Sequence, residues 1–415
     1  MLSDGLGRPV LAKTSRRTKG GGTRSMRRFR LGVLVSALAL AACVGPPSLR
    51  QSVLGYDDTI SRIERELLLV NIGRMHRQLP PHFTGTSAIA ATFDYRTNAG
   101  IAGTVAEAVG TNSYTLNLGA SAAENPTFSI VPVQGEEFTR RILSPMEESK
   151  FAFLIFQGAP IDMVLRLMAD GIEEQNPDGT FRRFVLNRPA AADEYAEFRR
   201  RVAHLAWLNA KRKLFVGPLS YSETVQRGLP APAPGDLMAA LDKGFSWRRD
   251  TDGTYALTRT VNGRVAITNY DPRALDEAAI RALNGRAAAN PGNFVLVDVR
   301  PDRPGGDLPL SGAFKLRSLN AILGFVAEGI DTAPEFDVPP DAKTGPSGAN
   351  PARALAVSVL DATPDSDVPT ATFEGRVYAV DDTPWDRQAF TLLYQLFQMT
   401  VTDVSAVGVP ITISK

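Results

Sequence analysis

The chain has 415 residues, of which 44% are hydrophobic and 22% charged, and this composition excludes a chain that is disordered throughout. The net charge of +2 is unevenly distributed, because residues 1–42 hold nine basic groups and one acid, whereas the remainder holds 37 basic and 43 acidic groups. The net charge of −6 on the remainder argues against nucleic acid as a partner. A single cysteine excludes an intramolecular disulfide and a cysteine cluster for zinc or iron–sulfur.

The N-terminal region resembles the signal sequence of a bacterial lipoprotein. Basic residues follow Met26, an apolar run of 14 residues spans 31–44, and Leu40-Ala41-Ala42-Cys43 is similar to a lipobox. The resemblance implies cleavage between Ala42 and Cys43, a diacylglyceryl group on the Cys43 thiol, and palmitate-type acylation of the new amino terminus. Residues 1–42 are then the signal peptide, with translation from Met26 as an open alternative. An ordinary signal peptide with an unmodified cysteine is the competing interpretation.

The residues after Cys43 predict how the body is attached. Val44 stands where aspartate would imply retention in the inner membrane, so the resemblance implies an outer-membrane lipoprotein that faces the periplasm. A run of 14 apolar residues is shorter than the roughly 20 that a membrane-spanning helix needs. Gly45-Pro46-Pro47 disfavours continuation of a helix, so the sequence predicts a tether over 43–56.

Residues 57–227 are predicted to form an N-terminal α+β lobe. Their apolar spacing predicts helices over 57–75, 136–142, 161–172 and 193–211, and strands within 85–96, 113–133 and 214–216. Period-two stretches around 88–96 and 113–131 predict a hairpin or a pair of edge strands. The apolar run 151–156 fits either a buried strand or the start of a helix.

A Pro-rich segment, 228–235, predicts a linker to a C-terminal α+β lobe over 236–415. Asp252-Gly253 and Asn262-Gly263 predict the turns of a three-stranded meander over 245–269. The pattern further predicts helices over 274–289, 318–329 and 384–399, and strands over 294–299, 355–360, 376–380 and 410–414, with a disordered stretch over 333–352. The predicted class is α+β, with two lobes of mixed helices and mostly antiparallel strands.

No established catalytic motif is present, so the sequence predicts no enzyme, no catalytic residue, no metal and no cofactor. His76 and His82 flank a Pro-Pro break but lack a marked third ligand, and His204 is predicted to be a partly buried residue of a helix. The acid pairs Glu136-Glu137, Glu147-Glu148 and Glu173-Glu174 are adjacent in sequence and so point in different directions. The run Asp361 to Asp367 lacks the glycine and distal glutamate of a calcium loop.

Several further stretches resemble a group of uncharacterised proteobacterial envelope lipoproteins. They are Glu66–Ile72, Asn125–Pro132 leading into Gly135–Phe138, Ile142–Pro145, Gln157–Pro160, Val377–Asp382, Phe390–Phe397 and the Pro-Ile-Thr-Ile end. The resemblance implies a Gram-negative envelope protein and assigns no activity.

Three functions therefore compete at the level of sequence. The first is an outer-membrane-anchored periplasmic lipoprotein with a structural or protein-interaction role, whose partners are the membrane, through its lipid, and other envelope proteins. The second is an oligomeric assembly or pore component that uses the hairpin 88–131. The third is a hydrolase with an unrecognised site.

Overall fold

The computed structural model describes residues 45–104, 113–133, 136–176, 178–346, 348–401 and 411–414. The signal peptide 1–42 and the predicted lipid-attachment residue Cys43 lie outside these residues. The helices are α1 (Gly45–His76), α2 (Glu136–Leu143), α3 (Glu148–Phe156), α4 (Ile161–Met168), α5 (Ala192–Ala210), α6 (Pro234–Asp242), α7 (Glu277–Ala288), α8 (Leu319–Glu328) and α9 (Pro384–Val401). The strands are β1 (Phe83–Thr104), β2 (Ser113–Val133), β3 (Ala169–Gln175), β4 (Phe181–Leu186), β5 (Phe215–Leu229), β6 (Phe245–Arg249), β7 (Tyr255–Thr268), β8 (Phe294–Val299), β9 (Leu310–Leu316), β10 (Val357–Leu360), β11 (Thr370–Phe373), β12 (Arg376–Val380) and β13 (Ile411–Ser414).

The predicted α+β class, with mixed helices and mostly antiparallel strands, is confirmed. The largest sheet has the order β4-β3-β9-β8-β7-β5, with β6 also paired to β7, and two three-stranded sheets have the orders β1-β2-β13 and β10-β12-β11. In the described part of the chain, β7 and β8 are the parallel pair and the other strand pairs are antiparallel. Helix α7 connects β7 to β8, as a parallel pair requires.

The chain divides into two compact units, Met1–Ser61 and Arg62–Lys415. Of the first unit the structure describes residues 45–61, which are helical. The Pro-rich segment 228–235 lies within the second unit, where it connects the end of β5 to α6. Strands on both sides of this segment belong to the largest sheet, so the two predicted lobes share one hydrogen-bonded sheet.

Helix α1 begins earlier than its sequence suggests. It starts at Gly45, so residues 45–56 are helical where the sequence predicts a tether. Pro46 and Pro47 fall in the first turn, in which backbone N–H groups have no intrahelical acceptor and proline therefore loses no hydrogen bond. Gly-Pro-Pro consequently lies at the start of this helix and does not prevent residues 45–56 from being helical.

Two further predictions are wrong. In both cases contacts with residues distant in sequence determine the local structure. The predicted helix 161–172 ends at Met168, and β3 follows because it pairs with β4 on one edge and β9 on the other. The predicted turn at Asn262-Gly263 is absent, since β7 continues through both residues. A Cβ at Gly263 would lie 2.7 Å from the Leu219 carbonyl oxygen and would overlap the Asn284 side chain, so glycine permits a close approach of β5 and α7.

The apolar core lies where α4, α5 and α8 pack on the large sheet, and it continues into α3, the β10-β12-β11 sheet and α9. Strand β8 shows why these residues form the centre: five of its six residues are buried, as expected for a strand covered on both faces. The run 151–156 lies in helix α3. Among the described residues, no helix has the length and apolar content needed to cross a membrane.

Candidate functional site

Strands β1 and β2 form an unusually long antiparallel pair. They contain 22 and 21 residues, and their register runs from Phe83 opposite Val133 to Thr104 opposite Ser113. At about 3.3 Å per residue, each strand is about 70 Å long, several times the length of an average strand of about 5–6 residues. The prediction of a hairpin from the period-two stretches is confirmed, although its length exceeds that prediction.

Most of this hairpin has unpaired edges. Within the described chain, β13 pairs with residues 127–130 of β2, and no strand pairs with the outer edge of β1 or with residues 113–126 of β2. An edge of this kind presents backbone N–H and C=O groups that can bond to another strand. A two-stranded hairpin is also marginally stable alone, so additional strands would stabilise it.

The register separates the residues of the hairpin into two sets. Beyond an irregularity between Thr86 and Ala88, alternate cross-strand pairs occupy the same face of the ribbon. The first set is mainly apolar: Ile89–Phe128, Ala91–Pro126, Phe93–Glu124, Tyr95–Ala122, Thr97–Ala120, Ala99–Leu118, Ile101–Leu116 and Gly103–Tyr114. The second set is polar or small: Ala88–Ser129, Ala90–Thr127, Thr92–Asn125, Asp94–Ala123, Arg96–Ser121, Asn98–Gly119, Gly100–Asn117, Ala102–Thr115 and Thr104–Ser113.

The root of the hairpin is fixed to the body by one buried ring and one buried amide. Phe83 is 2% exposed, and its ring centroid lies 5.3 Å from that of Phe397 on α9 and 5.7 Å from that of Phe138 on α2. The Asn71 amide nitrogen donates to the His82 carbonyl at 3.0 Å, and its oxygen accepts from the His82 backbone N–H at 2.6 Å. The hairpin therefore starts from a fixed point on the body.

The histidines take separate positions. The ring of His76 contacts the Tyr378 hydroxyl and Asp331, each at 3.0 Å, whereas His82 is exposed and held through its backbone. His204 is buried, as predicted: its Nε2 donates to the Gly305 carbonyl at 2.8 Å, and its Nδ1 contacts the Thr344 hydroxyl at 3.0 Å. Burial lowers the pKa of His204. Within the described part of the chain, no group of three or more His, Cys, Asp or Glu could hold a metal ion.

The predicted acidic residues that are described take separate structural roles. Glu148 forms an ion pair with Arg264 at 2.6 Å, and the buried Glu174 forms one with Arg183 at 2.8 Å. Glu173 lies in β3, opposite Phe184 of β4. Asp361, Asp365 and Asp367 lie in the connection between β10 and β11. Glu173 and Glu174 thus have different surroundings, as adjacent residues of a strand should.

A polar network that the sequence did not predict includes two buried arginines, Arg166 of α4 and Arg199 of α5. Both donate to the Ala352 carbonyl oxygen, at 3.0 and 2.7 Å. Glu335 lies 3.6 Å from Arg166 and accepts a hydrogen bond of 2.6 Å from the Tyr195 hydroxyl. Burial lowers the pKa of Arg166 and raises that of Tyr195.

This network determines the structure of the segment predicted to be disordered. Arg199 also donates to the Asn350 side chain at 2.8 Å, and the second Glu335 oxygen accepts from the Ala354 backbone N–H at 2.6 Å. The described residues of 333–352 form no helix or strand. They are held in place by hydrogen bonds from side chains of α4 and α5. A signal was present in the sequence, since arginines at apolar-facing helix positions need partners elsewhere.

Comparisons with known proteins found no similarity. No family model, curated protein or solved structure matches the chain. The lipoprotein resemblance therefore stays a prediction.

Proposed function

We propose that this protein is an outer-membrane-anchored lipoprotein, facing the periplasm, whose role is structural and depends on self-association through the β1–β2 hairpin. The anchor is the acylated Cys43, as the sequence Leu40-Ala41-Ala42-Cys43 implies. The observation that carries the self-association is the pair of long unpaired strand edges.

A second copy of the chain fits these edges better than an unrelated strand. The outer edge of β1 extends for 22 residues, and the open part of β2 covers residues 113–126. Another copy offers its own open stretch, residues 113–126 of β2, with the same alternation, so the apolar set of one hairpin would continue the apolar set of the next. Pairing of β1 with β2 of a neighbour is head-to-tail, and such contacts form a ring where the rotation closes.

The association can be tested with a photo-cross-linking residue at Thr97 on β1 or Ser121 on β2. We expect a ladder of protomer multiples in the native membrane, because both positions lie beside unpaired edges. The same residue at Met238, an exposed position of helix α6, provides the control and should leave the monomer. Monomer alone at all three positions would contradict self-association, and a single adduct with a different protein would indicate a hetero-complex.

The anchor requires a separate test. Cys43→Ser should remove palmitate labelling and move the protein from the membrane pellet to the supernatant, because each acyl chain contributes about 0.8 kcal/mol per buried methylene. A variant that stays membrane-bound after a high-salt wash would show that acylation is not the main attachment.

One observation favours the second candidate, a pore component. In the apolar set, positions from Tyr95 to Gly103 and from Tyr114 to Ala122 carry no charged residue, and they extend for about 26 Å. Aromatic residues stand at both ends of this band, which resembles the apolar band of about 25 Å with aromatic girdles in membrane-inserted strands. Asp94 and Arg96 fall in the other set.

Dye release from lipid vesicles tests the pore candidate independently of self-association. Ile101→Lys should abolish release and keep the cross-linked ladder, whereas Asn98→Lys, in the polar set, should keep both. A ladder without release from the unmodified protein would retain the structural role and refute the pore. The hydrolase alternative stays a prediction that no feature of the described residues favours.

A further inference from the structure

A basic cleft lies where α2 ends, α3 begins and α9 ends. Its volume is about 410 Å³, and its polar lining residues are Arg140, Arg141, Ser144, Glu147, Lys150 and Thr400. Three of these side chains are cationic and one is a carboxylate. The size is within the usual range of about 300–1,000 Å³ for small-ligand sites.

The local sequence determines this concentration of charge. Arg140 and Arg141 occupy the last turn of α2, and Ser144-Pro145 then ends that helix. Glu147 precedes α3 and lines the cleft, so the positive N-terminal end of the α3 dipole lies beside the cleft. The Glu147 side chain does not cap this end of the helix. Lys150 follows in the first turn, which places an ammonium group near the same helix end.

The connection between α2 and α3 is fixed to the body. The Met146 backbone N–H donates to the Arg317 carbonyl at 3.0 Å, and the Glu148 N–H donates to the Gly292 carbonyl at 2.9 Å. Pro145 also forms a β-bridge with Ser318. The backbone between the two helices is therefore held in place, which reduces the entropic cost of ordering it when a ligand binds.

Lys150 is partly buried, and this burial lowers its pKa, while Glu147 opposes the change. A cation that has lost part of its hydration gains from a nearby anion. A phosphate group carries a charge of about −1.5 to −2 and three strong acceptor oxygens, so it can interact with more than one cationic side chain and with a hydroxyl at the same time.

We propose that this cleft binds a phosphate group, held by Arg141 and Lys150 with the Ser144 hydroxyl as an additional donor. The phosphate belongs either to a small soluble ligand or to a lipid headgroup. The cleft is formed by ends of α2 and α9, the two helices that hold Phe83 at the hairpin root. The site thus lies beside the hairpin root, although its chemistry does not depend on self-association.

Binding should be measured on the full chain with three probes: inorganic phosphate, glycerol 3-phosphate, and vesicles of phosphatidylglycerol compared with phosphatidylcholine. The double variant Arg141→Gln/Lys150→Gln should weaken binding at least tenfold. Lys243→Gln, which removes an exposed lysine elsewhere, should leave it unchanged. Lys150→Arg should retain binding, which separates loss of charge from loss of fold.

The probes also identify the source of the phosphate. Binding of either soluble probe, weakened in the double variant, indicates a soluble ligand. Binding that is confined to phosphatidylglycerol vesicles and weakened in the double variant indicates a lipid headgroup. The proposal is refuted if no probe binds, or if the double variant binds all probes as the unmodified chain does.

Discussion

Replacing Glu335 with glutamine removes a negative charge from beside the buried guanidinium group of Arg166. Glu335 accepts hydrogen bonds of 2.6 Å from the Tyr195 hydroxyl and from the Ala354 N–H, and it lies 3.6 Å from Arg166. Arg166 is 1% exposed, and its Nε and Nη1 have no hydrogen-bond partner among the residues that the structure describes. The substitution would therefore leave a buried cation with less compensation.

The expected magnitude follows from the cost of an uncompensated buried charge. Removing one partner of a buried ion pair costs about 3–5 kcal/mol, and hydrogen bonds to charged groups contribute about 1.5–3 kcal/mol each. Glutamine keeps the shape and one acceptor but removes the negative charge. We therefore expect Glu335→Gln to lower the free energy of unfolding by about 3–5 kcal/mol. Glu335→Ala, which also removes that acceptor, should lower it at least as much.

Urea unfolding followed by tryptophan fluorescence measures this loss directly, because the Trp385 ring lies 5.4 Å from the Arg166 guanidinium carbon. The exposed Asp337, two residues away, provides a matched control, and Asp337→Asn should change stability by about 0.5 kcal/mol or less. A loss below about 1 kcal/mol for Glu335→Gln would refute the view that this carboxylate compensates the buried charge of Arg166.

Three further perturbations test other parts of the structure. Phe83→Ala should cost about 3–5 kcal/mol in urea unfolding and expose the hairpin root to protease, whereas Phe181→Ala, at a ring 62% exposed, should change little. Gly263→Ala should destabilise by about 1–3 kcal/mol through overlap, while Gly285→Ala in α7, with open space around it, should stabilise by about 0.5–1 kcal/mol. Burial lowers the pKa of His204, so below about pH 6.5 the unfolded chain binds a proton that the folded one does not. Stability should therefore fall with decreasing pH from about 6.5, and a slope as steep in His204→Gln would contradict this assignment.

Elements with strong local patterns were predictable from sequence. The strands 294–299 and 376–380 are found at the predicted residues because each is a short apolar run between turn-forming residues. The helix predicted over 318–329 begins after Ser318, whose hydroxyl accepts from the Ala321 N–H at 3.2 Å, a cap that its sequence indicates.

Elements determined by distant contacts were not predictable. Residues 169–172 continue the apolar spacing of the preceding helix, but their pairing with β9 requires a strand over 140 residues later in the chain. Residues 333–352 lack apolar periodicity, and the arginines that hold them lie in α4 and α5. For the candidate site, period-two alternation indicates strands but does not define the 22-residue length or the unpaired edges.

The pairing of β3 with β9 also sets an order of events during synthesis. Ala169 lies opposite Leu316, so one edge of β3 stays unpaired until the ribosome has added about 140 more residues. At about 5–20 residues per second this interval lasts roughly 7–30 s, far longer than the microseconds in which β3 and β4 can form a hairpin. During that time the nascent chain presents a strand with a free edge, which makes residues 169–175 a place where a chaperone would protect it from mispairing.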